Sequence, residues 1–408
     1  MTATAAVAPP LMSVRRSILV LGVLEAFGPL SMDLYLPRLP QLASSLHTSD
    51  AMAQLTMSVC MVGLGVGQLV AGPLSDRFGR RRPLLVGVAL FTLFSLACVF
   101  SPTVEALLVA RLLQGLAGSA GLVITMAVAR DLYSGADLSR MLSLLTLVSA
   151  SAPIVAPVAG GALALVVDWR GVFLVLAGVG GALFLLALFG LRETLPAAAR
   201  HGGGMRVLRA HFGSLMRDPV FVLMVIAAAA GGTAFFAYLS MSSFVLQDGF
   251  GLSPQLFALC FAGNALANLL GAQLSRVLVR RGGPARLYVC GQVASVAAAA
   301  LLLAAVLLGW GLPGVVIALP LWLFASGLGG PNGTTLALGS HAARAGTAAA
   351  VLGTVTFTVG PLVAPLAALA GASPLAMSAT IAAASLAAAT AAALAARRLH
   401  PSASAVSS

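Results

Sequence analysis

The chain has 408 residues, of which 60% are hydrophobic and only 8% charged, too few charges to clothe a core of this size in a water-facing surface, so its solvent is lipid. The formal charge of +12 comes with 23 arginines and no lysine. These stand in short clusters between apolar runs, a pattern of membrane loops that argues against a nucleic-acid partner. Cys60, Cys98, Cys260 and Cys290 each sit inside an apolar run without a CxxC pair, which argues against a disulfide frame or a zinc site.

A bilayer core takes about 20 mainly apolar residues per helical span. Interruption by Gly, Pro and charge divides the chain into twelve such runs, at 17–38, 52–74, 83–101, 104–128, 140–166, 170–191, 219–245, 254–276, 286–309, 313–338, 346–370 and 374–396. None shows the alternation of a membrane barrel strand, so the expected fold is an all-α membrane protein. Residues 1–16 form an N-terminal tail, 17–191 a first six-helix bundle, 192–218 a linker, 219–396 a second bundle and 397–408 a C-terminal tail. Placing both termini in the cytoplasm puts 20 of the 23 arginines on the cytoplasmic side, with Arg38 and Arg170 outside and Arg111 within a span. In the linker, Met205, Leu208, Phe212 and Leu215 set against Arg206, Arg209 and Arg217 suit a helix lying on the membrane surface.

The two bundles echo each other. Gly72, Arg77, Arg81 and Arg82 recur 199 positions later as Gly271, Arg276, Arg280 and Arg281, and Pro153 and Pro157 are matched by Pro361 and Pro365. Repeated halves point to alternating access around a site at their interface.

Three ionisable residues fall inside spans, each costing about 2.5–3.5 kcal/mol near a helix centre, so each is a functional candidate: Glu25 and Asp33 in the first and Arg111 in the fourth. Eight residues separate the two carboxylates, about 12 Å along a helix and roughly 80° around it, so they can line one cavity at two depths. Asp33 and Arg111 fall at similar depth in antiparallel spans, which predicts that they pair. Catalysis lacks its parts: His47, His201, His211, His341 and His400 lie in loops or termini at no ligand spacing, and there is no nucleotide-binding GxxxxGK[ST] loop.

Between the second and third spans, Gly72-Pro-Leu-Ser-Asp76-Arg77-Phe-Gly79-Arg80-Arg81-Arg82-Pro83 fits G-x-x-x-D-x-x-G-R-R and resembles the signature loop of the major facilitator superfamily. Arg111-Leu-Leu-Gln114-Gly115 resembles the fourth-helix motif of its proton-coupled members, and Ser151-Ala-Pro153-Ile-Val-Ala-Pro157-Val-Ala-Gly160-Gly161 the fifth-helix motif of drug antiporters. Met32-Asp33-Leu34-Tyr35-Leu36-Pro37 with Gln54-Leu55-Thr56 and Gly67-Gln68 is similar to the bicyclomycin/chloramphenicol-resistance (Bcr/CflA) branch.

The resemblance implies the major facilitator fold, twelve helices in two pseudo-symmetric halves, in a bacterial cytoplasmic membrane. It implies a monomeric secondary transporter without cofactor, exporting small hydrophobic drugs such as phenicols against a proton gradient. Asp33 and Glu25 would then carry protons or substrate, Arg111 would tune them, and Asp76 with its glycine and arginine neighbours would form a cytoplasmic gate. Pro153, Pro157, Gly160 and Gly161 would supply a kink and close packing. A proton-coupled uptake system is the competing expectation. For the drug pocket, polarizable and aromatic side chains nominate Tyr35, Met57, Met61, Ser149, Phe235, Phe236 and Tyr238.

Overall fold

A computed structural model describes residues 21–25, 28, 31–197, 200, 212–339, 345–369 and 371–399. Helical residues 21–25, 28 and 31–33 belong to α1. There follow α2 (Asp50–Phe78), α3 (Arg81–Val99), α4 (Val104–Leu132), α5 (Gly135–Leu163), α6 (Trp169–Gly190) and α7 (Pro219–Phe244). A continuous run, Pro254–Leu307, breaks at Gly283 (φ 72°, ψ 159°), which Pro284 follows, and so makes two spans, α8 (254–282) and α9 (284–307). The second half ends with α10 (Gly311–Gly339), α11 (Ala345–Ala367) and α12 (Pro374–Leu399). Side-chain caps mark the starts: Ser49, Thr103, Asp168, Asp218 and Ser253 each accept a hydrogen bond from a first-turn amide of α2, α4, α6, α7 and α8.

The first span departs from its expected bounds. The α-helix stops at Asp33, and Leu36–Arg38 forms a 3-10 turn leading into a short helix, Leu39–Ser45. Pro37 has no amide hydrogen to give to the Asp33 carbonyl four residues back, so the α-helical ladder cannot run past it, and Pro40 sits in the first turn of the next helix, where no amide hydrogen is needed. Asp33 therefore closes a helix instead of sitting inside one. Of the surface-helix expectation in the linker, Phe212 is exposed and Leu215 is buried beside Phe221 and Ala348, while 205–211 lies outside the described residues.

Glycines set the closest crossings. A Cβ on Gly115 would meet the Cys60 carbonyl and one on Gly63 the Leu112 carbonyl, so α2 and α4 touch backbone to backbone. In the second half Gly271 meets the Phe324 carbonyl and Gly327 that of Asn268, the same contact between α8 and α10. Gly63 to Gly271 and Cys60 to Asn268 share one offset, which also relates Pro153 to Pro361 and Pro157 to Pro365. The repeat at 199 positions is not in this register: the left-handed glycines ending α2 and α8 are Gly79 (φ 87°) and Gly283. The proline echo is structural, whereas the arginine echo reflects basic residues recurring in loops at one end of the bundle.

One apolar core joins both halves at the end opposite the 72–83 loop, taking in Tyr35, Leu39, Trp169 and Phe173 with Phe244, Phe257, Leu319 and Met377. At the loop end the buried apolar residues fall into separate clusters, around Phe91 and Ile124 in the first half and around Met224 and Leu352 in the second. Polar contacts cross between halves at the joined end: Ser243 donates to the Leu36 carbonyl (2.7 Å) and Gln255 to that of Gly161 (3.2 Å). The halves are closed at one end and parted at the other.

Candidate functional site

Between the halves lies a cavity of about 440 Å³. Its described walls come from α1, α2, α4 and α5 on one side and α7, α8, α10 and α11 on the other; α3, α6, α9 and α12 contribute nothing to them. Glu25 and Asp33 both line it from α1, against an apolar surface that includes Met61, Phe235, Phe236 and Tyr238. Both carboxylates are buried. The aromatic groups form a continuous arc: Phe235 meets Phe236 edge-on (centroids 5.6 Å apart), Phe236 meets Phe357 (6.3 Å), and Tyr238 stacks on Phe261 (5.4 Å). Such a wall is adaptable, apolar and broad, with few polar groups to demand one ligand shape.

Arg111 does not pair with Asp33. Arg80 holds ion pairs to Asp76 and Asp131, well away from Asp33. The fully buried Arg111 guanidinium donates to the Thr56 carbonyl (3.2 Å), the Ser31 carbonyl (3.4 Å) and Gln114 Oε1 (2.5 Å), reaches Met32 Sδ (3.6 Å), and lies over the rings of Tyr35 (4.7 Å) and Phe173 (5.4 Å). Gln114 passes the link to Ser95 (2.7 Å) on α3. Equal depth in two helices was the basis for expecting a pair, but the winding of α1 carries Asp33 to the cavity while the Ser31 carbonyl and the sulfur of Met32, itself on the cavity wall, are what Arg111 reaches. Arg111 thus fastens the end of α1 that presents Asp33.

This network also takes two nominated pocket residues. Tyr35, hydrogen-bonded to Thr56 (3.2 Å), and Met57 are buried in the joined core and do not line the cavity. The Ser149 side chain lies outside the described part of the structure. Leu122, Phe261, Leu323 and Phe357 line the cavity without a signal in sequence, because spans apolar on all sides do not reveal which face is inward. Asn268 lines it too while donating to the Leu323 carbonyl (3.0 Å).

The 72–83 loop is a clamp within the first half. Gly79 takes a left-handed φ of 87°, and a Cβ there would strike the Glu193 carboxylate. That carboxylate accepts the amides of Arg80 (2.8 Å) and Arg81 (3.2 Å), an anion at the N-terminus of α3. Arg81 donates to the Leu188 (2.7 Å) and Leu191 (2.9 Å) carbonyls, a cation at the C-terminus of α6. Arg80 bridges Asp76 (2.5 Å) and Asp131 (2.9 Å), tying α2 to α4. Partial burial pushes the Glu193 carboxyl up, but the amides of Arg80, Leu195 and Arg81 outweigh it and hold it below the ordinary glutamate range. Arg77 stands over the exposed Phe78 ring, and Gly72 faces Val123. Among the described residues Asp76 makes its ion pair within the first half, not across a gate between halves.

In α5, Pro153 lines the cavity and Pro157 is buried. A Cβ on Gly160 would meet the Leu34 carbonyl, and one on Gly161 would meet Ala258 and the Pro254 carbonyl. The glycine pair is where α5 packs on the end of α1 and on α8 of the other half.

Residues 21–365 match the Major Facilitator Superfamily. The chain belongs to this superfamily. It is 39% identical over 354 residues, 85% of this chain and 87% of the relative, to the uncharacterized MFS-type transporter YdgK of Bacillus subtilis. It is 32% identical to a chloramphenicol resistance protein of Pseudomonas aeruginosa (87% and 85% covered) and 29% identical to a bicyclomycin resistance protein homolog of Haemophilus influenzae (86% and 88%). These relatives agree with the Bcr/CflA resemblance of the motifs. Among solved structures, the nucleoside transporter NupG superposes with a TM-score of 0.76 at 13% identity, covering 93% of this chain and 99% of that one, which shows the fold alone. This superfamily member is a multi-pass membrane transporter.

Proposed function

We propose that this transporter exports small hydrophobic drugs, phenicols first, from the cytoplasm of a bacterial cell in exchange for protons. The observation that carries the reading is the interhalf cavity, in which two carboxylates of one helix share an apolar, aromatic-walled space. The Asp33 carboxylate, buried in such a space, needs a counter-charge, and a proton supplies it without occupying volume. Asp33, at the end of α1 and held by the Arg111 bonds to Ser31 and Met32, and Glu25, deeper along the same helix, are the proton-carrying groups. Drug-resistance relatives support the substrate class, and the α5 glycines and prolines support the antiport direction.

With both termini cytoplasmic, the parted end faces inward and the structure is the state that receives drug from the cytoplasm. Opening the opposite end breaks the Ser243 and Gln255 bonds across the seam. One charge moved through about 150 mV is worth roughly 3.5 kcal/mol, enough for a several-hundred-fold gradient of a neutral drug. The protein acts as a monomer.

The test is proton movement on adding chloramphenicol to proteoliposomes under an imposed pH gradient. The parent is expected to show drug-driven proton flux, Asp33→Asn to lose it, and Glu25→Gln to lose or uncouple it. Drug flux without proton movement, or both carboxamide variants matching the parent, defeats the antiport reading; proton movement driven by sugars or other nutrients in place of drugs turns it to uptake.

A further inference from the structure

The second half contains a cavity of its own, about 450 Å³, among α7, α9, α10, α11 and α12. Its polar lining comes from Gln292, Ser295, Ser326, Thr334, Thr356 and Ser385, with the Tyr288 hydroxyl and the Trp322 indole, and among the described residues no Asp, Glu, Lys, Arg or His lines it. Phe235 and Phe357 line both this cavity and the central one, so they form the wall between the two.

The space is built into the scaffold. Gly87 and Gly291 occupy matching places, packed against Ala117 of α4 and Gly329 of α10, and the spacing between them relates Phe91 to Ser295. The spacing between Gly115 and Gly327 likewise relates Gln114 to Ser326. Where the first half holds a phenylalanine ring and an amide, the second holds two hydroxymethyl groups, and the removed volume is the cavity. Gly231, Gly330 and Gly353 also line it, and a Cβ at any of them would meet nothing within 4 Å. Glycine is a poor helix former, so three of them beside open space keep a void that alanine would narrow at no steric cost.

The hydrogen-bond inventory states what the void accepts. Ser326 donates its proton to the Trp322 carbonyl (2.9 Å) and Thr356 to the Leu352 carbonyl (2.8 Å), while Ser385 receives the Trp322 indole N–H (3.1 Å). With their protons committed to the backbone, the Ser326 and Thr356 oxygens offer lone pairs to O–H or N–H donors of a guest, while the Gln292 amide can both donate and accept. A charged guest would find no counter-ion among the described residues of its lining.

We propose that this cavity is a subsite for the uncharged arm of the transported molecule, one bearing hydroxyl or amide N–H groups, while its apolar body occupies the central cavity beyond Phe235 and Phe357. This rests on the export reading above and narrows it: substrates are two-part molecules, an aromatic or aliphatic body joined to a neutral hydrogen-bonding arm. Lipophilic ions that lack such an arm use the central cavity alone.

The test is equilibrium binding of radiolabelled chloramphenicol, a neutral molecule with two hydroxyls and an amide, to the full-length protein in nanodiscs. Gly353→Leu fills the subsite, Gly353→Ala narrows it, and the double variant Ser326→Ala with Thr356→Val removes the acceptors at nearly constant volume. Affinity is expected to fall at least tenfold for Gly353→Leu, less for Gly353→Ala, and about fivefold per hydroxyl removed in the double variant. Size-exclusion profiles matching the parent exclude misfolding; if Gly353→Leu fails that check, the double variant decides. A parent that binds while all well-folded variants bind equally overturns the subsite and leaves export intact. A parent that binds no chloramphenicol overturns the phenicol reading and, with it, the subsite.

Discussion

The two halves use one scaffold for opposite purposes. In both, glycines bring the second and fourth helices of the half into backbone contact, yet the positions around that crossing differ in kind. The spacing that relates Gly115 to Gly327 sets Leu323 where the first half has Arg111. Around Arg111 the first half is filled and hydrogen-bonded, from Ser31 and Thr56 through Gln114 to Ser95, and its inner end is tied by Arg80, Arg81, Asp131 and Glu193. The second half, among its described residues, holds its helices with neutral bonds such as Asn332 to Ser275 (2.7 Å) and Asn264 to Tyr238 (3.1 Å), and it keeps a cavity. On the proposed export reading the contrast separates tasks: fixed charge in one half would position the proton-carrying carboxylates, while neutral, roomy packing in the other would receive the guest.

Exchanging the two central positions breaks this contrast most severely. Leu323→Arg buries a guanidinium without the carbonyls and rings that surround Arg111, and should destabilise the protein by about 3 kcal/mol or more. Arg111→Leu strands Gln114 and two carbonyls and frees the end of α1, so drug transport should be lost even where protein remains. Thermal unfolding in detergent with parallel flux assays measures both; a tolerated Leu323→Arg would show that the halves are more alike than their side chains indicate.

A smaller effect should be symmetric. Gly115→Ala and Gly327→Ala each drive a methyl into a facing backbone carbonyl, costing about 1–3 kcal/mol by overpacking, and the two losses should agree because the crossing is common to both halves. Unequal losses would mean that one half relaxes where the other cannot.

The smallest effect concerns the inner clamp, which has no counterpart in the second half among the described residues. Because the Glu193 carboxyl is held below its unfolded value, its contribution is present above the ordinary glutamate pKa and is lost as pH falls through the lowered one. Amide exchange at Arg80 and Arg81, corrected for its intrinsic pH dependence, should therefore rise in the parent as the pH falls below the ordinary glutamate range. Glu193→Gln should show the raised exchange already at neutral pH and little further change on acidification.

Sequence alone determined the spans after the first, the membrane character of the chain and the candidate charges Glu25, Asp33 and Arg111, because bilayer thickness, apolar run length and the cost of a buried charge act locally along the chain; the end of the first helix at Asp33 it did not give. It also placed Gly160 and Gly161 at a close approach through their motif, whereas the backbone contact at Gly115 came only with the structure. Which way those charges turn was a tertiary decision. A helix that ends at Asp33 sends the carboxylate into the cavity and its neighbours to Arg111, and the same ending buries Tyr35 against the guanidinium instead of in the drug site. The aromatic wall from Phe261 and Phe357 and the cavity of the second half were likewise invisible, since helices apolar on every face carry no record of which face meets lipid, which a neighbour and which an empty space.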